Sequence, residues 1–124
     1  MGGSSAKSIL IVDDDPGFLK WVAAALAAHG YRVATASDGR EALARLRESG
    51  PPSLILLDLL MPGVDGWQFR EAQLQDPALA SIPTVVMTAI SRDYVKAGYL
   101  PGVEVLPKPF DLPQLLAFVR QQCG

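Results

Sequence analysis

Residues 9–16 have the sequence Ile-Leu-Ile-Val-Asp-Asp-Asp-Pro, in which a short aliphatic run meets three carboxylates and a proline. The unbroken apolar run within residues 8–12 is typical of a strand buried on both faces of a parallel sheet. Asp15 followed by Pro16 predicts a helix start, because aspartate accepts hydrogen bonds from free N–H groups and proline has none to lose there. The stretch therefore predicts a strand, an acidic turn and a helix in succession.

The same strand-to-helix unit recurs along the chain. The predicted strands are 8–12, 31–36, 53–57, 83–88 and 103–106. The predicted helices are one from Asp15 to Gly30, then 39–48, 67–75 and 91–98, and a last one that Asp111 caps. Parallel strands joined by right-handed helical crossovers predict an α/β fold. We expect a three-layer, doubly wound, flavodoxin-like sandwich whose five-stranded sheet has the order 2-1-3-4-5.

Apolar residues at helical spacing predict which side of each end helix faces the core. The predicted core stripe of the first helix is Phe18, Trp21, Val22, Ala25 and Leu26. The predicted core face of the last helix is Leu112, Leu115, Leu116 and Val119.

The composition indicates one globular domain. The chain has 124 residues, of which 49% are hydrophobic and 19% charged, and a formal net charge of −2. Its lysines and arginines are scattered, which argues against nucleic-acid binding, and no apolar run reaches the length of a membrane span. The single cysteine, Cys123, fits a reducing compartment, so we expect a cytoplasmic protein. Residues 1–5 are expected to be an appended leader and residues 6–124 the domain.

Polar residues stand where four of the predicted strands end. Asp13 and Asp14 follow the first strand, Asp58 the third, Thr88 ends the fourth and Lys108 follows the fifth. Because the carboxyl ends of parallel strands share one edge of the sheet, these side chains should meet in one crevice. Neighbouring carboxylates repel one another unless a cation intervenes, and Mg²⁺ prefers such hard oxygen ligands. The sequence thus predicts a magnesium site and argues against a zinc or copper site, since cysteines are absent from this region and the only histidine is His29.

The same residues predict phosphoryl chemistry. An aspartate can act as a nucleophile and form an aspartyl phosphate, and Asp58 is the candidate. Mg²⁺ would bridge Asp58 and the phosphoryl group, while Lys108 and Thr88 would contact its remaining oxygens. No histidine or other general base belongs to this set, which favours holding a phosphoryl group over rapid hydrolysis.

These motifs resemble the receiver domain of response regulators in bacterial two-component signal transduction, the CheY-like family. The resemblance extends over nearly the whole chain from Ser8 onward. It is carried by Ile-Leu-Ile-Val-Asp13-Asp14, Asp58-Leu-Leu-Met-Pro-Gly-Val-Asp-Gly66, Val-Val-Met-Thr88-Ala89 and Leu-Pro-Lys108-Pro109-Phe110. Each motif is weak alone, but together they are highly specific.

The resemblance implies a role for each acidic residue. Asp58 would accept a phosphoryl group from a phosphohistidine of a sensor histidine kinase or phosphotransfer protein. Asp14 would bind Mg²⁺ directly and Asp13 through water, with the Leu60 carbonyl as a further ligand beside Asp58. The chain would be a phosphoacceptor that catalyses only its own phosphorylation and dephosphorylation, and not an enzyme with a separate substrate.

The resemblance also implies how the phosphoryl group is held. Thr88, the backbone N–H of Ala89 and Lys108 would contact its oxygens. A cis peptide is implied between Lys108 and Pro109. Phosphorylation would then switch a face made of the predicted fourth helix, fifth strand and fifth helix, which would bind an unknown downstream protein or output domain, or a second copy of the chain.

This sequence departs from the family pattern on that face. In the family an aromatic residue normally lies three positions before the lysine, and in this sequence that position is Val105. Pro101-Gly102 should also end the fourth helix early. Leu60 and Ile90, two positions after Asp58 and Thr88, are apolar where a polar side chain could orient water. We hypothesise that they slow phosphate loss.

Two other functions compete with the phosphorylated switch. A degenerate receiver would bind proteins without phosphorylation, which the valine at position 105 makes the main alternative. An aspartate-nucleophile phosphatase needs a second aspartate two positions after the nucleophile, where this chain has Leu60. The phosphatase also needs a cap over its substrate, for which the chain leaves little room.

Overall fold

The structure is a computed structural model that describes residues 7–61, 63–89 and 102–123. Its strands are β1 (Ser8–Val12), β2 (Arg32–Ala36), β3 (Leu54–Asp58), β4 (Thr84–Thr88) and β5 (Glu104–Pro107). Its helices are α1 (Pro16–Ala28), α2 (Gly39–Ser49), α3 (Gly66–Gln75) and α4 (Leu112–Cys123). The predicted helix at 91–98 and the predicted leader at 1–5 lie outside the described residues.

The five strands form one parallel sheet in the order β2-β1-β3-β4-β5, which confirms the predicted fold. Val12 pairs with Leu57, and Asp58 pairs with Met87 of the next strand. Thr88 in turn pairs with Pro107, the last residue of β5. This register brings the carboxyl ends of β1, β3, β4 and β5 to a common edge, where the polar residues follow.

Helices cover both faces of the sheet because its central strands are apolar on both sides. One cluster packs alternate residues of β1, β3 and β4 against α1 and α4. A second packs the intervening residues of β1 and β3 against α2 and α3. A third, smaller cluster lies near the carboxyl end of the sheet and contains Leu59, Val86, Val103 and Val105, with Trp67 packed against it.

Side-chain caps begin the helices where the sequence predicted. Asp15 Oδ1 accepts hydrogen bonds from the N–H groups of Gly17 at 2.9 Å and Phe18 at 3.2 Å. Asp111 Oδ1 likewise accepts from the Gln114 N–H at 2.9 Å. Gly30, with φ of 92°, lies in the left-handed region after α1, which a glycine tolerates without strain.

The prediction that Trp21 faces the core is wrong. Val22 and Leu26 of α1 are fully buried, but the Trp21 side chain is 43% exposed. A helix facing one sheet buries a stripe only somewhat wider than 100°, and Val22 and Leu26 lie at its centre. Trp21 falls at its flank, where it contacts Phe18 and Phe110 beside the carboxyl edge of the sheet.

None of the helices that the structure describes has the length and apolar character that a membrane span requires.

Candidate functional site

Three carboxylates meet at the carboxyl edge of the sheet. Asp13 follows β1 directly, Asp14 is the next residue, and Asp58 is the last residue of β3. One carboxylate oxygen from each of the three lies within 4.8 Å of the others. Asp13 is 1% exposed and Asp58 7% exposed, whereas Asp14 is open to solvent. The arrangement is a small acidic crevice with one open side.

Asp13 is held on three sides. Its backbone N–H donates to the carbonyl oxygen of Ala36 at 3.1 Å, which fixes the start of the loop to β2. Its Oδ1 accepts from the Asp15 N–H at 2.9 Å, and its Oδ2 accepts from Lys108 Nζ at 2.7 Å. The carboxylate therefore has a fixed orientation before any ligand enters.

Lys108 reaches the crevice from the end of β5. Its N–H donates to the Thr88 carbonyl oxygen at 2.9 Å, and its peptide bond to Pro109 is cis, as the resemblance implied. Its ammonium lies 2.7 Å from Asp13 Oδ2 and 3.8 Å from Asp58 Oδ1. One cation thus faces both buried carboxylates, and the site keeps a formal excess of negative charge.

Burial is the main reason that the pKa of Asp58 rises from its ordinary 3.8 to about 6. The Lys108 ammonium and the Leu59 N–H lower this pKa, whereas repulsion from Asp13 and Asp14 raises it further. Most of the Asp58 carboxyl groups are still ionised at neutral pH, as a nucleophile requires. The charged form is nevertheless disfavoured there, so a cation placed among the three carboxylates would stabilise it.

A glycine fixes the loop after β3 against the backbone of Asp58. The N–H of Gly66 donates to the Leu59 carbonyl oxygen at 2.9 Å. A Cβ atom at Gly66 would lie 2.5 Å from the Asp58 carbonyl oxygen and 2.6 Å from the Leu59 Cα, closer than real Cβ contacts. Only glycine therefore allows α3 to begin directly beside the end of β3.

The remaining predicted residues lie around the same crevice. Thr88 ends β4 and is 1% exposed, and Ala89 follows it at the surface. The Leu60 side chain is 59% exposed just after β3. Ile90, named with Leu60 in the phosphate-loss hypothesis, lies outside the described residues. The structure thus brings Asp13, Asp14, Asp58 and Lys108 close together and places Thr88, Ala89 and Leu60 at the carboxyl ends of β4 and β3.

Val105 lies in the core and not at the surface. It is 1% exposed in β5 and belongs to the cluster against which Trp67 packs. The Trp67 indole Nε1 is buried and has no hydrogen-bond acceptor among the described residues. The position at which the resemblance implies an aromatic residue is therefore filled by a small aliphatic residue, with a tryptophan from α3 nearby.

Three aromatic rings beside Lys108 were not recognised from the sequence as part of the site. The Lys108 ammonium lies 4.3 Å from the centroid of the Phe18 ring. The rings of Phe18, Trp21 and Phe110 contact one another with centroid distances of 5.8 to 6.1 Å. A shallow cavity of about 370 Å³ lies between these rings, Lys108 and Ala89. The sequence did hold a signal for these rings, because Phe18 lies three residues after Asp15 and Phe110 two residues after Lys108, both near the carboxyl edge of the sheet.

Comparison with known proteins gives the family. A family model described as the response regulator receiver domain matches residues 9–120. The DNA-binding dual master transcriptional regulator RpaA of Synechocystis is 40% identical over 114 residues, which cover 90% of this chain and 47% of RpaA. The chain therefore spans about half the length of that relative.

Solved structures show the same fold. The chemotaxis protein CheY4 of Vibrio cholerae has a TM-score of 0.87 at 29% identity, and the match covers 95% of this chain and 99% of the CheY4 chain. The receiver domain of the sensor histidine kinase PA1611 of Pseudomonas aeruginosa has a TM-score of 0.84 at 26% identity. The match covers 97% of this chain and 99% of the PA1611 receiver. That receiver was crystallised with a magnesium ion coordinated in its active-site cleft. By its sequence motifs, its fold and its acidic crevice, this chain belongs to the response regulator receiver domain family.

Proposed function

We propose that this receiver is a magnesium-dependent phosphoacceptor that takes a phosphoryl group onto Asp58. The observation that carries the proposal is the surroundings of this carboxylate: it is 7% exposed, lies 3.8 Å from the Lys108 ammonium, and has an oxygen within 4.8 Å of two further carboxylates. The donor is a phosphohistidine of a sensor histidine kinase or phosphotransfer protein, the partner class of this family.

In the proposed reaction an Asp58 carboxylate oxygen attacks the phosphorus of the donor. The phosphorus–nitrogen bond breaks, its electron pair returns to the imidazole, and a mixed anhydride forms on Asp58. Lys108, the Thr88 hydroxyl and the Ala89 N–H hold the non-bridging oxygens. Because this chain supplies all of these groups, it catalyses its own phosphorylation and also accepts small phosphorylated donors.

The donor set fits Mg²⁺. Three carboxylates offer oxygen ligands within 4.8 Å of one another, and the pKa of about 6 at Asp58 reflects in part their mutual repulsion. Asp13, Asp14, Asp58 and the Leu60 carbonyl would hold the ion. When bound, it would neutralise charge between the carboxylate and the phosphoryl group.

The domain proposed for this activity comprises residues 6–124. Its output is a change at the face that includes β5 and α4, which would bind a downstream protein, an output domain or a second copy of the chain. We assign no nucleic-acid or membrane contact to this chain, and we propose a cytoplasmic setting, as its partner class requires.

A second candidate is a receiver that binds its partner without phosphorylation. The buried Val105, at 1% exposure, favours this alternative, because a small aliphatic side chain cannot swing between two positions as a large ring can. The two candidates differ in whether phosphorylation of Asp58 changes the binding of a partner.

Intact mass after incubation with Mg²⁺ and acetyl phosphate tests the proposal. We expect one added phosphoryl group, which should be absent without Mg²⁺ and absent in Asp58→Asn. A folded protein that gains no mass, and also fails to bind beryllofluoride, would replace the phosphoacceptor by the constitutive binding module.

A further inference from the structure

The ammonium of Lys108 is enclosed by two carboxylates and an aromatic ring. It lies 2.7 Å from Asp13 Oδ2, 3.8 Å from Asp58 Oδ1 and 4.3 Å from the centroid of Phe18. The Lys108 side chain is 24% exposed, so one side of it still faces water. Two of the three enclosing groups belong to the acidic crevice, and the third comes from the first turn of α1.

The Phe18 ring is itself held in place by two others. Its centroid lies 6.1 Å from that of Trp21 and 5.8 Å from that of Phe110, and the ring of Phe110 meets it edge to face. Trp21 and Phe110 also contact each other at 6.1 Å. Such edge-to-face and tilted pairs are favourable, so the three rings form a rigid wall beside the lysine.

A ring face attracts a cation, and a lysine side chain is otherwise flexible. Four rotatable carbons give an unrestrained lysine many conformations in which its ammonium is fully hydrated. The negative face of an aromatic ring opposes that escape when the cation lies within about 6 Å of its centroid. The 43% exposure of Trp21 is also accounted for, because its ring supports this wall and not the core.

We propose that Phe18, supported by Trp21 and Phe110, is a positioning residue that keeps the Lys108 ammonium beside Asp58. The inference rests on the proposed function, in which Lys108 holds a phosphoryl oxygen. Phe18 touches no reacting atom and acts only through the lysine. A cation–π contact at a partly exposed site is worth about a twofold to fivefold change in an equilibrium constant.

The first experiment reads the position of Lys108 without any phosphoryl chemistry. The chain has only four lysines, at positions 7, 20, 96 and 108, so a spectrum of ¹³Cε-labelled lysine is simple to assign with a Lys108→Arg variant. An ε-methylene group over a ring face gives upfield-shifted proton signals. We expect such a shift for Lys108 in the metal-free protein, its loss in Phe18→Leu and its retention in Phe18→Tyr.

The second experiment measures the consequence for the site. Beryllofluoride affinity in saturating Mg²⁺ should fall about twofold to fivefold in Phe18→Leu and stay near the parent value in Phe18→Tyr. Mg²⁺ affinity should not fall, because the ammonium that Phe18 holds is a counter-charge to the carboxylates and not one of the groups that would bind the ion. A ring-trifluorinated phenylalanine at position 18 keeps the packing but weakens the ring's attraction for a cation, and it should behave like leucine.

Two results would overturn the inference. One is the absence of an upfield-shifted Lys108 signal in the parent protein. The other is loss of that signal in Phe18→Leu with beryllofluoride affinity unchanged or increased. If the parent bound no beryllofluoride, the proposed function would fail on its own, while the lysine spectrum would still decide whether the ring holds Lys108.

Discussion

The domain buries two groups of polar side chains that differ in how their charges and hydrogen bonds are matched. Between α3 and β4, the Gln73 amide donates to the carbonyl oxygens of Leu79 at 3.1 Å and Ile82 at 3.2 Å, and accepts from Arg70 at 2.9 Å. Arg70 also donates to the Thr84 hydroxyl at 3.2 Å. At the carboxyl edge of the sheet, by contrast, three carboxylates face one ammonium.

The difference separates a structural cluster from a functional one. Buried polar groups that find their partners inside the protein stabilise one conformation. Like charges gathered with too few counter-charges disfavour the empty state and favour any ligand that neutralises them. We therefore expect substitutions in the Gln73 cluster to lower stability without changing ligand binding. Substitutions at the acidic crevice should change ligand binding without lowering stability.

The largest expected effect is that of Gln73→Leu. The side chain is fully buried, and leucine of similar size would leave two carbonyl oxygens and an arginine N–H without the partner they have now. The Leu79 and Ile82 carbonyls keep the Ile82 N–H and the Thr84 hydroxyl as donors, and Arg70 keeps Thr84 as an acceptor. Because a lost hydrogen bond costs about 1 kcal/mol, and about 1.5–3 kcal/mol where one partner is charged, the free energy of unfolding should fall by about 3–5 kcal/mol. Urea denaturation measures this loss.

The matched control is Gln75→Leu, the same substitution at an exposed position of the same helix. It should change the free energy of unfolding by no more than about 0.5 kcal/mol. Beryllofluoride affinity of the folded protein should be the same in both variants and the parent. A large drop in affinity for Gln73→Leu would mean that the two polar clusters are coupled, and the comparison would break down.

Gly66→Ala should affect both properties at once, because this glycine joins α3 to the backbone of the acidic site. The added Cβ would lie 2.5 Å from the Asp58 carbonyl oxygen, so the backbone of one residue must move. We expect a loss of about 2 kcal/mol in the free energy of unfolding, typical of overpacking, together with weaker Mg²⁺ binding.

Gly17→Ala is the control for Gly66→Ala, since it also lies in the first turn of a helix. Its Cβ would meet only Asp15 Oδ1, at an ordinary 3.4 Å. Alanine has the higher helix propensity, so this variant should be as stable as the parent or more stable by up to about 1 kcal/mol. Equal stability of the two alanine variants would show that the loop after β3 adapts freely.

Asp58→Asn should make the protein more stable at neutral pH, while removing its phosphorylation. The pKa of Asp58 is raised from 3.8 to about 6, chiefly by burial, so its charged form costs folding free energy. At about 1.4 kcal/mol per pKa unit, reduced for solvent at the open side of the crevice, we expect a gain of about 1–2 kcal/mol. Denaturation in metal-free buffer measures it.

The pH dependence of this gain has a definite sign. Because the folded-state pKa of about 6 exceeds the ordinary 3.8, the folded protein binds the proton more tightly than the unfolded chain, and stability falls as the pH rises through this window. The advantage of Asp58→Asn should be complete above about pH 6 and shrink toward pH 4. An advantage independent of pH would mean that the asparagine gain comes from packing and not from charge.

The sequence predicted the parts of this molecule that depend on periodicity and on strand ends. The aliphatic run before Asp13 and the one before Asp58 specify buried parallel strands, and the strand order confirms that prediction. The grouping of Asp13, Asp58 and Lys108 followed from topology alone, since each ends a strand at the same edge.

Features that depend on side-chain direction in three dimensions were not predictable in the same way. Trp21 has the spacing of a core residue but lies at the flank of α1, where it contacts Phe110, a residue that follows the fifth strand. The partners of Gln73 include backbone carbonyls in the turn before β4, and such contacts leave no pattern in sequence. Residue spacing along one helix cannot encode a contact between two elements.

The smallest expected effect concerns how long the acidic crevice retains a phosphoryl group. Leu60 is 59% exposed and lies two residues after Asp58, just beyond the end of the strand that carries it. A polar side chain there could orient an attacking water, although without acting as a full general base. We expect Leu60→Asn to shorten the phosphoryl half-life about threefold to tenfold, below the 10²–10⁴-fold of general base catalysis.

Leu74→Asn is the matched control, because Leu74 is also a largely exposed leucine, at 43%, but lies in α3 beside Gln73 and not beside Asp58. Its half-life, measured by loss of the added mass over time, should equal that of the parent. Equal half-lives in Leu60→Asn and Leu74→Asn would show that the side chain at position 60 does not control the attack of water on the phosphoryl group. Retention of the phosphoryl group would then depend on the charges of the crevice alone, because three carboxylates facing one ammonium are what set it apart from the Gln73 cluster.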